Sequence, residues 1–181
     1  MFLDLTQSTQ HNVYSYLVGG ISPRPIAWVS TLSKEGIANI APYSFFTVAS
    51  CNPPVLSVTQ VNPRDKANKD TLLNLQATNN CVVNIVSEEL VEKMNQSCAN
   101  YPHNVSEFEA ANIETIASTH VTSPGAAAAK IRYECTLRDV IQISDEPGGG
   151  KVMLLNVVGI YIDDNVLMNG YIDPTRLNSV G

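Results

Sequence analysis

Two long segments of alternating apolar and polar residues, joined by a glycine-rich turn, place the strongest restriction on the fold of this chain. The first runs from Ala129 to Ile143 and the second from Lys151 to Asp163. The turn between them contains Pro147-Gly148-Gly149-Gly150. Alternation on both sides of a glycine-rich turn is typical of a β-hairpin. The sequence therefore predicts a long antiparallel hairpin in the C-terminal half of the chain.

Shorter strands are predicted elsewhere, because β-branched and aromatic residues crowd short segments bounded by prolines, glycines and polar turns. These segments are Ile26 to Leu32, Ile37 to Ser50 with an interruption at Pro42, Val55 to Val61, Cys81 to Val86 and Val166 to Ile172. Strands connected locally favour a small antiparallel barrel over a sheet of alternating strands and helices. We therefore expect a mainly β fold of six or seven strands.

Three short helices are predicted at the periphery of this barrel. Leucine spacing indicates one helix from Asp70 or Thr71 to about Ala77. Ser87 could cap a second, which would reach Cys98. Ser106 and Glu109 have the spacing of a capping box, which predicts a third short helix.

Length and composition limit the classes of protein to consider. A chain of 181 residues fits a single domain, here residues 1–181. Charged residues make up 15% of the chain, against about 25% in a typical soluble domain, so we expect a partner subunit to cover part of the surface. The net charge of −6 disfavours binding to nucleic acid, because a phosphate backbone would be repelled.

We expect a cytoplasmic protein that does not cross a membrane. No Lys or Arg precedes Arg24, so the N-terminus lacks the cationic start of a secretory signal. The longest apolar stretch, Val152 to Ile162, is too short to span a bilayer.

The sequence nominates neither a metal site nor a catalytic residue. Its four cysteines are too widely spaced for a zinc site or a redox dithiol, and we interpret Cys81 and Cys135 as small buried hydrophobic residues. The three histidines are scattered, and the common nucleotide, zinc-protease and hydrolase motifs do not occur.

A cluster of basic residues is one candidate for binding. Arg64, Lys66 and Lys69 precede the helix predicted to begin at Asp70 or Thr71. Cations, a hydroxyl and helix N-terminal N–H groups together suit a phosphate. The alternative is a solvated loop whose charges are balanced by neighbouring aspartates.

Hydroxyl groups on two neighbouring strands are a second candidate. Ser30 and Thr31 end one predicted strand, and Ser44 precedes Phe45 and Phe46 on the next. Together they could supply hydroxyls beside an apolar wall. The alternative is ordinary strand chemistry, with hydroxyls facing solvent and phenylalanines in the core.

The order of several motifs resembles the flavin reductase-like, FMN-binding split-barrel family, in its flavoredoxin branch. The matching segments are Gly19-Gly20-Ile21-Ser22-Pro23-Arg24-Pro25-Ile26-Ala27-Trp28-Val29-Ser30-Thr31, Asn39-Ile40-Ala41-Pro42-Tyr43-Ser44-Phe45-Phe46, Asn52-Pro53-Pro54, Lys69-Asp70-Thr71, Val82-Val83-Asn84-Ile85-Val86, Val105-Ser106-Glu107-Phe108-Glu109 and Asp163-Asp164-Asn165-Val166-Leu167. The resemblance covers nearly the whole chain.

The resemblance implies a six-stranded antiparallel split β-barrel that forms a homodimer and binds one FMN per protomer. The positions it implies for phosphate and ribityl contacts are Ser30, Thr31, Ser44, Lys69, Asp70 and Thr71. The positions it implies along the flavin ring are Arg24, Ala27, Trp28, Val29, Pro42, Tyr43 and Phe45.

The implied activity is electron transfer from NADH or NADPH, through FMN, to a flavin, ferric or protein acceptor. Because the flavin carries the redox chemistry, no protein acid or base is needed. Two alternatives stay open: an electron-transfer protein of flavoredoxin type without its own nicotinamide site, and an FMN-binding module without catalysis.

Overall fold

The computed structural model describes residues 2, 4–6, 13–62 and 69–181. Its strands are β1 (Ala27–Leu32), β2 (Ala38–Tyr43), β3 (Phe46–Cys51), β4 (Pro54–Val61), β5 (Asn80–Ile85), β6 (Thr115–Ile116), β7 (Gly125–Ala126), β8 (Ile131–Gln142), β9 (Gly150–Ile162), β10 (Leu167–Met168) and β11 (Tyr171–Ile172). Its α-helices are α1 (Val13–Gly20), α2 (Asp70–Thr78), α3 (Val91–Gln96), α4 (Glu107–Ala110) and α5 (Pro174–Leu177). Two 3₁₀ turns span Glu88–Leu90 and Asp164–Val166.

Seven strands form one antiparallel sheet in the order β2-β1-β5-β8-β9-β4-β3. Strands β8 and β9 are its longest and pair from Ile131 opposite Ile162 to Gln142 opposite Lys151. The predicted hairpin is therefore confirmed, as is a mainly β fold with short helices.

The sheet curls on itself because of a short connection between its two edges. Strand β2 ends at Tyr43 and β3 begins at Phe46, yet these strands lie at opposite ends of the strand order. A flat sheet of seven strands would be about 29 Å wide, whereas the link through Ser44 and Phe45 spans at most about 10 Å. The edges must therefore approach each other. The connection itself is attached to β4, because the Thr59 N–H donates to the Phe45 carbonyl at 2.8 Å.

The connection also explains the number of strands. We expected one return strand from Ile37 to Ser50, interrupted at Pro42. The chain instead leaves the sheet after Tyr43 and re-enters it at the other edge, so the segment supplies two strands. The sheet therefore has seven strands, the larger of the two numbers expected from the strand pattern.

Strand β1 is covered on both faces. Ala27 and Val29 pack inside the curled sheet with Leu72 and Leu75 of α2. Trp28 lies on the opposite face, in a second cluster with residues that include Met94 of α3 and Phe108 of α4. The helices thus close the outer face of β1, and its near-continuous apolar sequence follows from this double burial.

The capping predictions and the last strand need correction. The helix expected from Ser87 to Cys98 is divided between the 3₁₀ turn and α3. Neither Ser87 nor Ser106 makes a side-chain capping hydrogen bond in the described chain. The Ser106 hydroxyl donates instead to the Ala38 carbonyl of β2. The strand expected from Val166 to Ile172 is a tight hairpin, β10 and β11, that turns at Asn169 and Gly170, both at positive φ.

Within the described residues, no helix is long and apolar enough to cross a bilayer.

Candidate functional site

A cavity of about 280 Å³ opens between β2, the first turn of α2, the segment that follows α3, and α4. These elements come from distant parts of the sequence and meet because α2 and α4 both pack against β2. The described lining residues are Asn39, Ala41, Pro42, Lys69, Asp70, Thr71, Ser97, Cys98, Ala99, Asn100, Tyr101 and Glu107. Amides, hydroxyls and charged groups therefore predominate along its wall.

Asn39 is the centre of a buried hydrogen-bond network in this wall. Its Oδ1 accepts hydrogen bonds from Thr71 Oγ1 at 3.0 Å and from Thr31 Oγ1 at 3.3 Å. Asn74 Nδ2 donates to Thr31 Oγ1 at 3.1 Å. These contacts tie β1, β2 and α2 together, so the cavity wall is fixed by polar side chains whose hydrogen bonds are met inside the protein.

Residues at the start of α4 hydrogen-bond to the free edge of β2. The Ser106 hydroxyl donates to the Ala38 carbonyl at 2.6 Å. Glu107 accepts from Asn39 Nδ2 at 2.9 Å and from the Ile40 N–H at 3.3 Å. These side chains replace the hydrogen bonds that a neighbouring strand would supply, which protects an otherwise open edge.

Burial raises the pKa of Glu107, although hydrogen bonds from backbone N–H groups and from Asn39 oppose the shift. The carboxylate is desolvated, and the charge of Asp70 raises the pKa further.

The charged groups at the start of α2 have partners of their own. Lys69 Nζ lies 5.3 Å from the centroid of the Tyr43 ring, within the range of a cation–π contact. Asp70 Oδ1 lies 3.0 Å from His103 Nδ1. The Tyr43 hydroxyl is buried and finds no hydrogen-bond partner among the described residues, and burial raises its pKa far above the ordinary value.

Four of the residues predicted for flavin binding meet at this cavity: Pro42, Lys69, Asp70 and Thr71. The Thr71 side chain is only 1% exposed, and its hydroxyl proton is directed to Asn39. The Thr71 side chain therefore belongs to the wall, and Lys69 is the basic residue among the described lining residues.

The predicted residues of β1 lie in the core. Ala27, Trp28, Val29, Ser30 and Thr31 all have zero exposure. The Trp28 indole N–H donates to Ser97 Oγ at 2.9 Å, and Ser30 Oγ donates to the Pro124 carbonyl at 2.6 Å. Of these residues, Trp28 and Thr31 contact lining residues of the cavity, through Ser97 and Asn39.

The remaining predicted residues lie near the connection between β2 and β3. Arg24 donates to the carbonyls of Val18 and Ile21, and its Nε lies 3.4 Å from Ser44 Oγ. Phe45 is half-buried at the same corner. The other two basic residues of the candidate phosphate loop, Arg64 and Lys66, lie outside the described residues.

The other lining residues were not among the predicted site residues: Asn39, Ala41, Ser97, Cys98, Ala99, Asn100, Tyr101 and Glu107. Glu107 falls within a motif that carries the family resemblance, which was the available signal. The segment 97–101 has no such signal, because only the packing of α3 brings it to the cavity.

The curled antiparallel sheet with short helices packed against it has the split β-barrel fold. The chain belongs to the family described as "Flavin reductase like domain", whose model matches residues 19–176. The family predicted from the motifs is thereby confirmed.

Three known proteins illustrate the similarity. An uncharacterized protein of Aquifex aeolicus is 40% identical over 158 residues, which are 87% of this chain and 81% of that protein. Nitrilotriacetate monooxygenase component B from Bacillus cereus is 32% identical with a TM-score of 0.92, over 100% of this chain and 92% of the other. A flavoredoxin of Desulfovibrio vulgaris (Miyazaki F) shares the fold at 17% identity and a TM-score of 0.73, over 98% and 85% of the two chains.

Proposed function

We propose that this protein is an FMN-binding oxidoreductase that passes electrons from NADH or NADPH, through bound FMN, to a flavin, ferric or protein acceptor. The observation that carries the proposal is the meeting of Lys69, the first turn of α2 and the Pro42 region of β2 at one cavity. That meeting occurs in a chain that belongs to the flavin reductase-like family.

The donor groups at the cavity suit the phosphate end of FMN. The Lys69 ammonium and the first backbone N–H groups of α2 attract an anion. Asp70 and Glu107 would oppose one, but Asp70 pairs with His103 and Glu107 accepts hydrogen bonds from β2. The residues present therefore fit a phosphate held mainly by Lys69 and the backbone.

The volume of the cavity limits how much of an FMN molecule it can hold. At about 280 Å³ it lies near the lower end of the roughly 300–1,000 Å³ found for small-molecule pockets. We propose that it takes the phosphate and ribityl end of FMN, and that the ring extends toward Pro42 and the corner at Ser44 and Phe45. Trp28 and its neighbours on β1 would then act as support rather than as ligand contacts.

A bound flavin supplies the redox chemistry by accepting two electrons and passing them on. The chain's own residues have a different task. Lys69 neutralises phosphate charge, and the Asn39 network holds β2 against α2. With these roles, the protein does not need to supply a catalytic acid or base.

Absorbance spectroscopy of the purified protein tests the proposal. FMN is added first, followed by NADH or NADPH without oxygen. We expect the visible flavin bands to shift on binding and to bleach with a nicotinamide. If added FMN does not bind, the proposal is wrong.

A second candidate is an electron-transfer protein without a nicotinamide site. The volume of this cavity, about 280 Å³, favours it, because it leaves little room for part of a dinucleotide beside the phosphate end of a flavin. If the protein binds FMN and the flavin is reduced by a protein donor but not by NADH or NADPH, this alternative is correct.

We also propose that the chain forms a homodimer. Large apolar side chains are exposed on α1, where Leu17 is 56% exposed, and on β9, where Ile160 is 56% exposed. Together with the low charged fraction, these surfaces favour a covering subunit. Light scattering after size exclusion should give twice the 19.6 kDa chain mass, and a monomer at micromolar concentration would contradict the proposal.

A further inference from the structure

Three buried side chains form a continuous hydrogen-bonded link from α4 to the first turn of α2. Glu107 Oε1 accepts from Asn39 Nδ2 at 2.9 Å, and Asn39 Oδ1 accepts from Thr71 Oγ1 at 3.0 Å. Glu107 and Asn39 are each 7% exposed and Thr71 is 1% exposed. Because hydrogen bonds in a desolvated interior are strong and directional, the orientation of each group depends on its neighbour.

All three residues also line the cavity that contains Lys69. The sequence separation between Glu107 and Asn39 is 68 residues, so this link joins α4 to a cavity wall built from a distant part of the chain. We infer that Glu107 is a positioning residue, which through Asn39 holds the first turn of α2 in the orientation that binds a phosphate-bearing flavin. The inference rests on the proposed function for the identity of the ligand.

The donors around Glu107 require a carboxylate at this position. Asn39 Nδ2 and the Ile40 N–H both point hydrogens at it, and each uses a different oxygen. A glutamine has one oxygen and one NH₂ group, so Glu107→Gln places a donor against a donor. If the glutamine NH₂ faces Asn39, Asn39 turns over or loses its partner, and the Thr71 hydroxyl loses a fixed acceptor. If it faces the Ile40 N–H, that N–H loses its acceptor, so either orientation removes one of the two hydrogen bonds that hold residue 107 to β2.

Reversing the donor and acceptor at the two positions should repair the link. In the double variant Asn39→Asp with Glu107→Gln, the glutamine NH₂ can donate to the aspartate and its oxygen can accept from the Ile40 N–H. The second aspartate oxygen still accepts from the hydroxyls of Thr71 and Thr31. Every hydrogen bond is retained, whereas Asn39→Asp alone brings two carboxylates together.

The experiment compares the wild-type protein with Glu107→Gln, the double variant and Glu109→Gln. Glu109 is an exposed neighbour on the same short helix, so its substitution is a matched control. Hydrogen exchange of the α2 amides is measured on each protein without added ligand. Titrations with FMN and with riboflavin, which lacks the phosphate, then give the two dissociation constants.

We expect Glu107→Gln to speed exchange in α2 about tenfold and to weaken FMN binding about tenfold, the scale of one lost buried hydrogen bond. Riboflavin binding should change by less than about threefold on the same scale. The control should match the wild type. The double variant should recover slow exchange and FMN affinity. If Glu107 acted only through its negative charge at position 107, the double variant would not recover either, because residue 107 is then a neutral glutamine.

Wild-type exchange and FMN affinity in Glu107→Gln would overturn the inference. So would a folded double variant that remains as weak as the single one. If the wild-type protein does not bind FMN, the proposed function fails instead, and the exchange data alone decide whether Glu107 positions α2.

Discussion

Lys69 Nζ lies 5.3 Å from the centroid of the Tyr43 ring, so the cation at the start of α2 is held against the last residue of β2. This contact restricts the conformations of the Lys69 side chain at the cavity, which lowers the entropic cost of binding an anion.

Lys69→Ala should weaken FMN binding by about 1.5–3 kcal/mol, the scale of a hydrogen bond to a charged group. Riboflavin affinity should change little, because riboflavin lacks the phosphate. Fluorescence titration with both ligands measures the difference. Lys34→Ala, in the exposed turn after β1, is the matched control. Equal losses for the two ligands would mean that Lys69 supports the fold or the ring pocket instead.

FMN should protect Cys98 from alkylation, because Cys98 lines the cavity. Cys51 is exposed elsewhere, on β3, and serves as the control within the same chain. With FMN at about ten times its Kd, the free fraction of protein falls about tenfold, and so should the rate of labelling at Cys98. Mass spectrometry after timed iodoacetamide treatment gives both rates.

Burial raises the pKa of Cys98, so the reaction needs mildly alkaline buffer. Cys81 and Cys135 are buried and should react only after unfolding. If FMN protects both exposed thiols equally or neither of them, the flavin does not occupy this cavity.

The strands were predictable because their signals are local. In the hairpin of β8 and β9, apolar and polar residues alternate along both strands. Strand β1 is covered on both faces, and its sequence is accordingly a mostly apolar run. The hydrogen-bond partner of the Ser106 side chain was not predictable. A serine suits both a capping box and a contact with the Ala38 carbonyl of β2.

The site was predictable only where it overlaps family motifs. Lys69, Asp70 and Thr71 carry such a motif and do line the cavity. Ser30 carries one as well, yet it is buried, because both faces of β1 are covered. Which motif residues face a cavity depends on contacts between distant segments, such as Asn39 with Glu107, and these follow only from the assembled fold.

Ser97→Ala should lower the free energy of unfolding by about 1–3 kcal/mol, because it leaves the buried Trp28 indole N–H without its acceptor. Chemical denaturation measures the change. In a Trp28→Phe background the same substitution should cost less, since the donor is absent. A double-mutant cycle therefore isolates the hydrogen bond, and equal costs in the two backgrounds would contradict the assignment.

The stability that Glu107 contributes should fall as pH rises. Burial raises the pKa of Glu107 in the folded chain above the ordinary 4.5, so between 4.5 and the raised value the folded state binds more protons than the unfolded state. The free energy of unfolding then decreases with increasing pH across this window. Urea denaturation from about pH 4 to about pH 8 should show the free energy of unfolding of the wild type falling relative to that of Glu107→Gln as pH rises. Glu109→Gln should show no such trend, and a wild-type value that rises relative to that of Glu107→Gln would mean that hydrogen bonds from Asn39 and Ile40 outweigh the cost of burying the carboxylate.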